Sequence, residues 1–325
     1  MPKLRIDPFL LKLLCAVLAA SLLPVRGLGA DLFGWLTSLA IAMLFFMHGA
    51  RLSRDAIVSG MAHWRLHACI FALTFVAFPL LGMAGGPLAS RLIPHELYIG
   101  VLFLCCLPAT VQSAIAFTSM ARGNVPAAIC SASASSMLGV FVTPALAGLV
   151  LAEAGSQGAP LHLDAIGKIV VQLLLPFVAG HLVRPWIGNW VLRHNAMLKH
   201  LDQGSILLVV YTAFSAAVIE GLWARIPLGA LAALALVCTL LLAAVMGVSV
   251  ALGRLMGFSL EDRITLLFCG SKKSLATGVP MANILFAAHA VGFVVLPLMM
   301  FHQIQLIVCA VIAGAYARRA QPARA

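Results

Sequence analysis

Apolar segments long enough to cross a lipid bilayer recur along the whole chain of 325 residues. Eighteen or more mostly apolar residues in a row indicate a transmembrane helix, because about 20 residues span the hydrocarbon core. The chain is 62% hydrophobic and 10% charged, which excludes a soluble globular domain of this length. Backbone groups in lipid need hydrogen-bond partners within the protein, and the segments lack the short alternating pattern of a barrel. We therefore predict an all-α polytopic membrane protein.

The apolar segments predict ten spans in a single transmembrane domain covering residues 1–325, joined by short loops. The first segment is interpreted as a span and not as a signal peptide, because further spans follow at once. The longest polar connection, residues 184–203, is predicted to be a basic hinge at the membrane surface between two halves. The predicted spans are residues 9–25, 31–50, 65–86, 96–120, 125–152, 164–185, 203–223, 227–252, 263–287 and 290–316.

The distribution of lysine and arginine predicts the orientation of the spans. Cytoplasmic loops of membrane proteins carry an excess of these residues. With a cytoplasmic N-terminus, fifteen of the 21 lie on the cytoplasmic side and four on the outer side, while Lys272 and Lys273 lie within a span. Both termini are therefore predicted to be cytoplasmic. The short loops favour a bacterial inner membrane, with an organelle membrane as the alternative.

Lys272 and Lys273 are adjacent within predicted span 9. A lysine near the middle of a bilayer costs about 2.5–3.5 kcal/mol, so such residues are usually retained for function. The alternative is a pair that snorkels to the interface. Only positions 274–288 would then remain to cross the membrane, too short a segment for the hydrocarbon core of roughly 30 Å. We favour a buried pair, with one lysine facing a cavity and the other binding a backbone carbonyl of a crossing helix.

Two spans are predicted to be interrupted near their middle. Span 4 is broken at Pro108–Ser113 and span 9 at Gly270–Ser274, which are corresponding positions in two sets of five spans. Five is an odd number, so the second set (about 164–316) enters the membrane from the side opposite to the first (about 9–152). Paired interrupted helices in inverted repeats indicate a transport site near the midplane of the membrane.

Polar residues at and near these interruptions are the candidate substrate- or ion-binding residues. Hydrogen bonding between helices and close packing of small residues are the alternative interpretation for the serines, threonines and glutamines. His302 could carry a proton, or could be a hydrogen-bonded structural histidine. The candidates are Thr110, Gln112, Ser113, Ser131, Ser133, Ser271, Lys272, Lys273, Ser274, His302 and Gln303.

Other functional classes find little support in the sequence. No nucleophile elbow, zinc-protease motif or phosphate-binding loop is present, so we do not expect an enzyme. The eight cysteines lie in apolar segments without zinc-like spacing, and we predict no metal site. The net charge of +11 comes from loops beside apolar spans, as topology signals do, and does not indicate nucleic-acid binding. The expected partners are the lipid bilayer and a small substrate.

Three stretches resemble a known family: Phe45–Arg54, Leu107–Pro126 and Gly270–Met281. They look like the sodium/bile-acid symporter superfamily, in its divergent SBF-like branch, and the resemblance covers nearly the whole chain. It implies inverted five-helix repeats with broken, crossing helices 4 and 9. It also implies a panel formed by spans 1, 2, 6 and 7, which moves against a core formed by spans 3–5 and 8–10, with substrate bound between them.

The chain departs from the sodium-binding pattern that this resemblance implies. Sodium-coupled relatives use a Ser-Asn pair in span 4, hydroxyls in span 5 and a glutamate with a nearby glutamine in span 9. Here Gln112-Ser113 stands near the pair, while Ala128 and Ala132 align with the hydroxyls. The acid of span 9 is missing, and the two lysines occupy that stretch. An ammonium group repels sodium at short range, so we expect the two-sodium arrangement to be absent.

The sequence thus predicts a secondary transporter of an organic anion that works by alternating access. Lys272 or Lys273 would supply a built-in positive charge, and coupling would be independent of sodium or linked to protons. His302 and Gln303 stand where relatives place a polar pair facing the substrate. The alternatives are a membrane-embedded regulator of ion homeostasis, or a channel without carrier activity.

Overall fold

The computed structural model describes residues 8–51, 63–153 and 170–319. These residues form helices and connecting turns, with no strand among them. The first residues of predicted span 6 (164–169) and several of the basic residues counted for orientation, Arg54 and Lys168 among them, lie outside the described residues. The helices are α1 (Pro8–Leu22), α2 (Leu28–Arg51), α3 (Trp64–Ala84), α4 (Gly86–Leu92), α5 (His95–Cys106), α6 (Gln112–Met120), α7 (Val125–Glu153), α8 (Leu175–Arg193), α9 (Asn195–Ile219), α10 (Leu222–Arg225), α11 (Leu228–Leu255), α12 (Leu260–Gly270), α13 (Leu275–Leu285) and α14 (Ala288–Ala317).

Six of the described helices are long and apolar enough to cross a membrane: α2, α3, α7, α9 (from Ala196), α11 and α14. Many large apolar side chains on their outer surfaces are exposed, for example Trp35 and Leu39 on α2 and Val311 on α14. A soluble monomer rarely exposes such wide apolar patches. These surfaces suit contact with lipid.

Both predicted interruptions are present in the structure. α5 ends at Cys106 and α6 begins at Gln112, while α12 ends at Gly270 and α13 begins at Leu275. Leu107 adopts an extended conformation with φ -75 and ψ 155, as expected for the residue that precedes Pro108. In the second interruption the hydroxyl of Ser274 caps α13 by accepting a hydrogen bond of 3.3 Å from the backbone N–H of Thr277. A serine at this position satisfies an N–H group that the helix itself leaves unpaired.

The predicted polar hinge at residues 184–203 is wrong. α8 continues through Pro185 to Arg193, and α9 begins at Asn195, so His194 alone separates the two helices. The polar residues of this stretch lie within the two helices. A helix that extends beyond the bilayer can expose its polar side chains and terminal backbone groups to water, so polar residues do not end it.

Helices α2 and α8 cross at two glycines. A Cβ atom built on Gly49 would overlap the carbonyl oxygen of Phe177, and one built on Gly180 would overlap the carbonyl oxygen of Phe46. Each glycine therefore lies directly against the backbone of the other helix. Small residues that allow two backbones to approach are the usual basis of helix packing in membranes, where lipid removes most of the hydrophobic driving force.

We predict that Gly49→Ala lowers the thermal unfolding midpoint of detergent-purified protein by several degrees, because the new methyl group must push α2 away from α8. Gly34→Ala is the matched control: Gly34 lies on the same helix, and its Cβ would meet nothing within 4 Å. That control should be neutral or stabilising, since alanine favours helices over glycine by about 1 kcal/mol. Equal midpoints for both variants would contradict the close crossing.

Candidate functional site

The two interruptions meet each other inside the protein. The backbone N–H of Ser274 donates a hydrogen bond to the carbonyl of Pro108 (2.9 Å), which joins the two unwound segments directly. Gly278, in the first turn of α13, lies against the side chains of Leu107 and Leu298, where any Cβ would clash. The broken helices are therefore fixed against one another at the point where both lose helical hydrogen bonding.

Lys273 is buried at this crossing, with no exposed surface. Its ammonium nitrogen donates three hydrogen bonds, each of 2.7 Å, to the backbone carbonyls of Thr74, Cys105 and Leu107. The ring of Phe78 covers the nitrogen at 4.1 Å from its centroid, a cation–π contact. All three donors of the ammonium group are thus satisfied, although no carboxylate takes part.

Local backbone structure explains why these carbonyls are available. Residues Leu73–Ala77 form a π-helical turn, in which the N–H of Phe78 bonds to the carbonyl of Leu73. The carbonyl of Thr74 then has no partner in α3, because the next residue along, Pro79, has no N–H. The carbonyl of Cys105 belongs to the last turn of α5, where carbonyls lack helical partners and the helix dipole favours a cation.

Gln305 on α14 holds the backbone of the same lysine. Its Oε1 accepts from the N–H of Lys273 (2.9 Å), and its Nε2 donates to the carbonyl of Lys273 (3.0 Å). The Nε2 atom also lies 2.9 Å from Nδ1 of His302. Sequence reasoning selected His302 and Gln303 and missed Gln305. The spacing from His302 to Gln305, three residues on one helix face, could have indicated it.

Lys272 is also fully buried, in a different environment. Its ammonium nitrogen donates to the carbonyl of Ser113 (2.9 Å) and lies 3.9 Å from the ring centroid of Phe117. The expectation that one lysine faces the cavity is wrong, because neither lysine lines it. The snorkelling alternative is wrong as well. Unwinding at the interruption lets both side chains reach carbonyls that the broken helices leave available.

A cavity of about 450 Å³ lies in front of the crossing. α2, α8 and α9 form one wall, and the two interruptions, α7, α13 and α14 form the other. Six predicted site residues line it: Thr110, Gln112, Ser113, Ser133, Ser274 and His302. Besides the lysines, the remaining three lie outside its lining: Ser131, Ser271 and Gln303.

Two of those three serve other hydrogen bonds. The hydroxyl of Ser131 pairs with Nδ1 of His67 at 2.6 Å in a buried position, and the hydroxyl of Ser271 donates to the carbonyl of Leu267 at 2.5 Å. The structure therefore assigns Ser133, and not Ser131, to the cavity side of α7.

Two helices, α6 and α13, have their N-termini at the cavity wall. Thr110–Ser113 leads into α6, and Ser274–Thr277 forms the start of α13. A helix N-terminus presents unpaired N–H groups and carries about half a positive charge, so it attracts anions. This electrostatic pattern comes from the backbone alone and adds to the two buried ammonium groups behind the wall.

Charged side chains lie on the opposite wall. Nη1 of Arg51 on α2 forms an ion pair with Oδ2 of Asp202 on α9 at 2.5 Å, and Lys199 and His48 also line the cavity. Sequence reasoning assigned Arg51 to membrane topology only and did not select the other three. Positions 199, 202, 203 and 206 all line the cavity, and their helical spacing could have indicated one polar face of α9.

Comparison with known proteins agrees with these features. The SBF-like CPA transporter family model matches residues 7–318. The putative symporter YfeH of Escherichia coli is 55% identical over 320 residues, which is 98% of this chain and 96% of that protein. An uncharacterized protein of Pseudomonas aeruginosa is 60% identical over 324 residues, covering 100% of this chain and 97% of its own.

A more distant relative is the sodium/bile acid cotransporter 7 of Rattus norvegicus. It is 28% identical over 322 residues, which cover 95% of this chain and 92% of the rat protein. The resemblance of the three sequence stretches to the bile-acid symporter superfamily is thereby confirmed, and the chain is a multi-pass membrane protein of a transporter family. From its first apolar helix to its last, the chain belongs to the SBF-like CPA transporter family.

Proposed function

We propose that this protein is a secondary transporter of a small amphipathic organic anion. The observation that carries the proposal is the cavity at the crossing of two broken helices, with two helix N-termini at its wall. Interrupted helices meeting at a binding site are the recurring design of such carriers, in which half-helix N-termini face anionic groups. The cavity also has apolar lining from Val111, Met137, Phe177 and Ile206, which suits an apolar substrate body.

Transport would occur by alternating access between two groups of helices. The panel comprises α1, α2, α8 and α9, and the core comprises α3, α5–α7 and α11–α14. The most extensive contacts support this division, since α2 packs on α8, α1 on α9 and α5 on α14, and the two groups meet where α9 packs on α13 and α14. We further propose that ten spans form two inverted repeats (about 9–152 and 164–316), with both termini cytoplasmic in a bacterial inner membrane.

The residues at the crossing do not fit a sodium ion. Ala128 and Ala132, which stand where relatives supply hydroxyls, are buried methyl side chains without lone pairs. The carbonyls of Thr74, Cys105 and Leu107 are the kind of oxygen ligands that a hard cation takes, but the ammonium of Lys273 already binds all three. The built-in cation of Lys273 would therefore replace an exchangeable one, and Lys272 would add a second fixed charge.

We predict that Ser133→Trp abolishes anion uptake into proteoliposomes, because the indole fills the cavity between panel and core. Folding should be retained, since Ser133 is half-buried at the cavity surface. Ser119→Trp is the control, as Ser119 is exposed and lies outside the cavity lining. Undiminished uptake by the Ser133 variant would contradict the assignment of this cavity as the substrate path.

Uptake by the wild-type protein should be the same with a sodium gradient as with a potassium gradient of equal ionic strength. The physical reason is that a fixed ammonium group occupies the carbonyl ligands. Strict dependence on sodium would overturn this part of the proposal.

Replacing Lys273 by serine should make the thermal stability of the protein depend on sodium. The vacated space offers the three carbonyls and a hydroxyl, so sodium chloride should raise the thermal unfolding midpoint of Lys273→Ser more than choline chloride does. Lys273→Met is the matched control, because its side chain fills the space without charge and should show no sodium effect. A Lys273→Ser protein that folds and is equally stable in both salts would indicate that the ammonium does not replace sodium.

A further inference from the structure

The ion pair on the panel wall leaves three of its five polar side-chain atoms without a hydrogen-bond partner among the described residues. Arg51 and Asp202 are joined through Nη1 and Oδ2. The Nε and Nη2 atoms of Arg51 and the Oδ1 atom of Asp202 are shielded from solvent and have no hydrogen-bond partner among the described residues. An unpaired buried polar group costs about 1–3 kcal/mol, more when it is charged. Three such atoms on one cavity-lining pair require an explanation.

The unused donors have the geometry of a carboxylate receptor. The N–H of Nε and one N–H of Nη2 point the same way from the planar guanidinium, and together they form a two-donor fork that matches the two oxygens of a carboxylate. The side chain of Arg51 retains 24% of its surface exposed, and the residue lines the cavity. The two fork nitrogens are shielded from solvent in the structure, so rotation about the flexible stem of Arg51 is needed to present the fork to a bound ligand.

The unpartnered acceptor atom, Oδ1 of Asp202, restricts the chemical class of the ligand further. Oδ1 of Asp202 belongs to the carboxylate that holds the other end of the guanidinium, so donor fork and free acceptor lie on one ion pair. A ligand that satisfies both offers two anionic oxygens, as a carboxylate does, and an O–H or N–H donor within reach of Oδ1. The charge of the cavity suits an anionic ligand, because the lining side chains of Arg51, Lys199 and Asp202 together carry one net positive charge.

We infer that Arg51 and Asp202 bind the head group of the substrate, which is a carboxylate with an adjacent hydroxyl or amino group, while the apolar lining receives its body. This inference rests on the proposed function, because it assigns the substrate class of the same cavity. His48 on α2, Lys199 on α9 and His302 on α14 line the same cavity as the pair. Arg51 then has a role beyond membrane topology.

Binding to the full-length protein in detergent tests the inference with three probes that share a phenyl group: mandelate (carboxylate and hydroxyl), phenylacetate (carboxylate only) and mandelamide (neutral). The stabilisation of the wild-type protein against heat should fall in that order, because a ligand stabilises the state that it binds. Equal stabilisation by mandelate and mandelamide, or none by mandelate, would overturn the carboxylate assignment. Equal stabilisation by mandelate and phenylacetate would overturn the assignment of Oδ1.

Variants of the ion pair separate its two roles. Arg51→Lys keeps the charge and loses the fork, so it should weaken mandelate binding at least tenfold. Asp202→Ala should make mandelate and phenylacetate bind equally and keep the preference for both over mandelamide. Arg254→Lys, an exposed residue at the end of α11, is the control and should bind as the wild type does.

Each result has a definite consequence. Unchanged mandelate binding by Arg51→Lys would overturn the role of the fork, and a retained preference for mandelate in Asp202→Ala would overturn the role of Oδ1. Should Arg51→Lys fail to fold, the comparison of mandelate with phenylacetate binding to Asp202→Ala still tests whether the ion pair contacts the ligand. Mandelate binding that depends on Arg51, without uptake of any anion into proteoliposomes, would contradict the proposed function and leave this inference standing.

Discussion

The contact on which this architecture depends joins the ammonium of Lys273 to three backbone carbonyls. Each of the three hydrogen bonds is 2.7 Å long, and the carbonyls belong to α3, to the end of α5 and to the interruption that follows it. Charged hydrogen bonds are roughly twice as strong as neutral ones, and low dielectric strengthens them further. One side chain thereby ties α12 and α13 to two other helices and satisfies carbonyls that would otherwise be unpaired in an apolar environment.

The same contact connects the crossing with the cavity. Gln305 binds both backbone groups of Lys273 and lies 2.9 Å from His302, which lines the cavity. Ser113 lines the cavity, and its backbone carbonyl accepts a hydrogen bond from Lys272. The cavity wall and the buried charges therefore form one continuous hydrogen-bonded unit.

The sequence predicted those features that follow from local chemistry. The residue before Pro108 cannot remain helical easily, and two adjacent lysines cannot sit on an intact lipid-facing helix, so both interruptions were predictable. The carbonyls that accept from the two ammonium groups were not predictable, since they lie 159 to 199 positions away in the sequence. Ser131 and Ser133 show a further limit: they lie two residues apart on different faces of α7, and a run of serine and alanine has no period that distinguishes those faces.

The long separation between Lys273 and its carbonyls has a consequence for biogenesis. During synthesis the ammonium group emerges last, 166 to 199 residues after the oxygens that receive it. Until α12 and α13 reach α3 and α5, its insertion is unfavourable by about 2.5–3.5 kcal/mol. The final helices can therefore settle in the membrane only as a docking event onto a finished N-terminal part. A nascent chain whose early helices are misassembled would be left with an unshielded charge in the membrane.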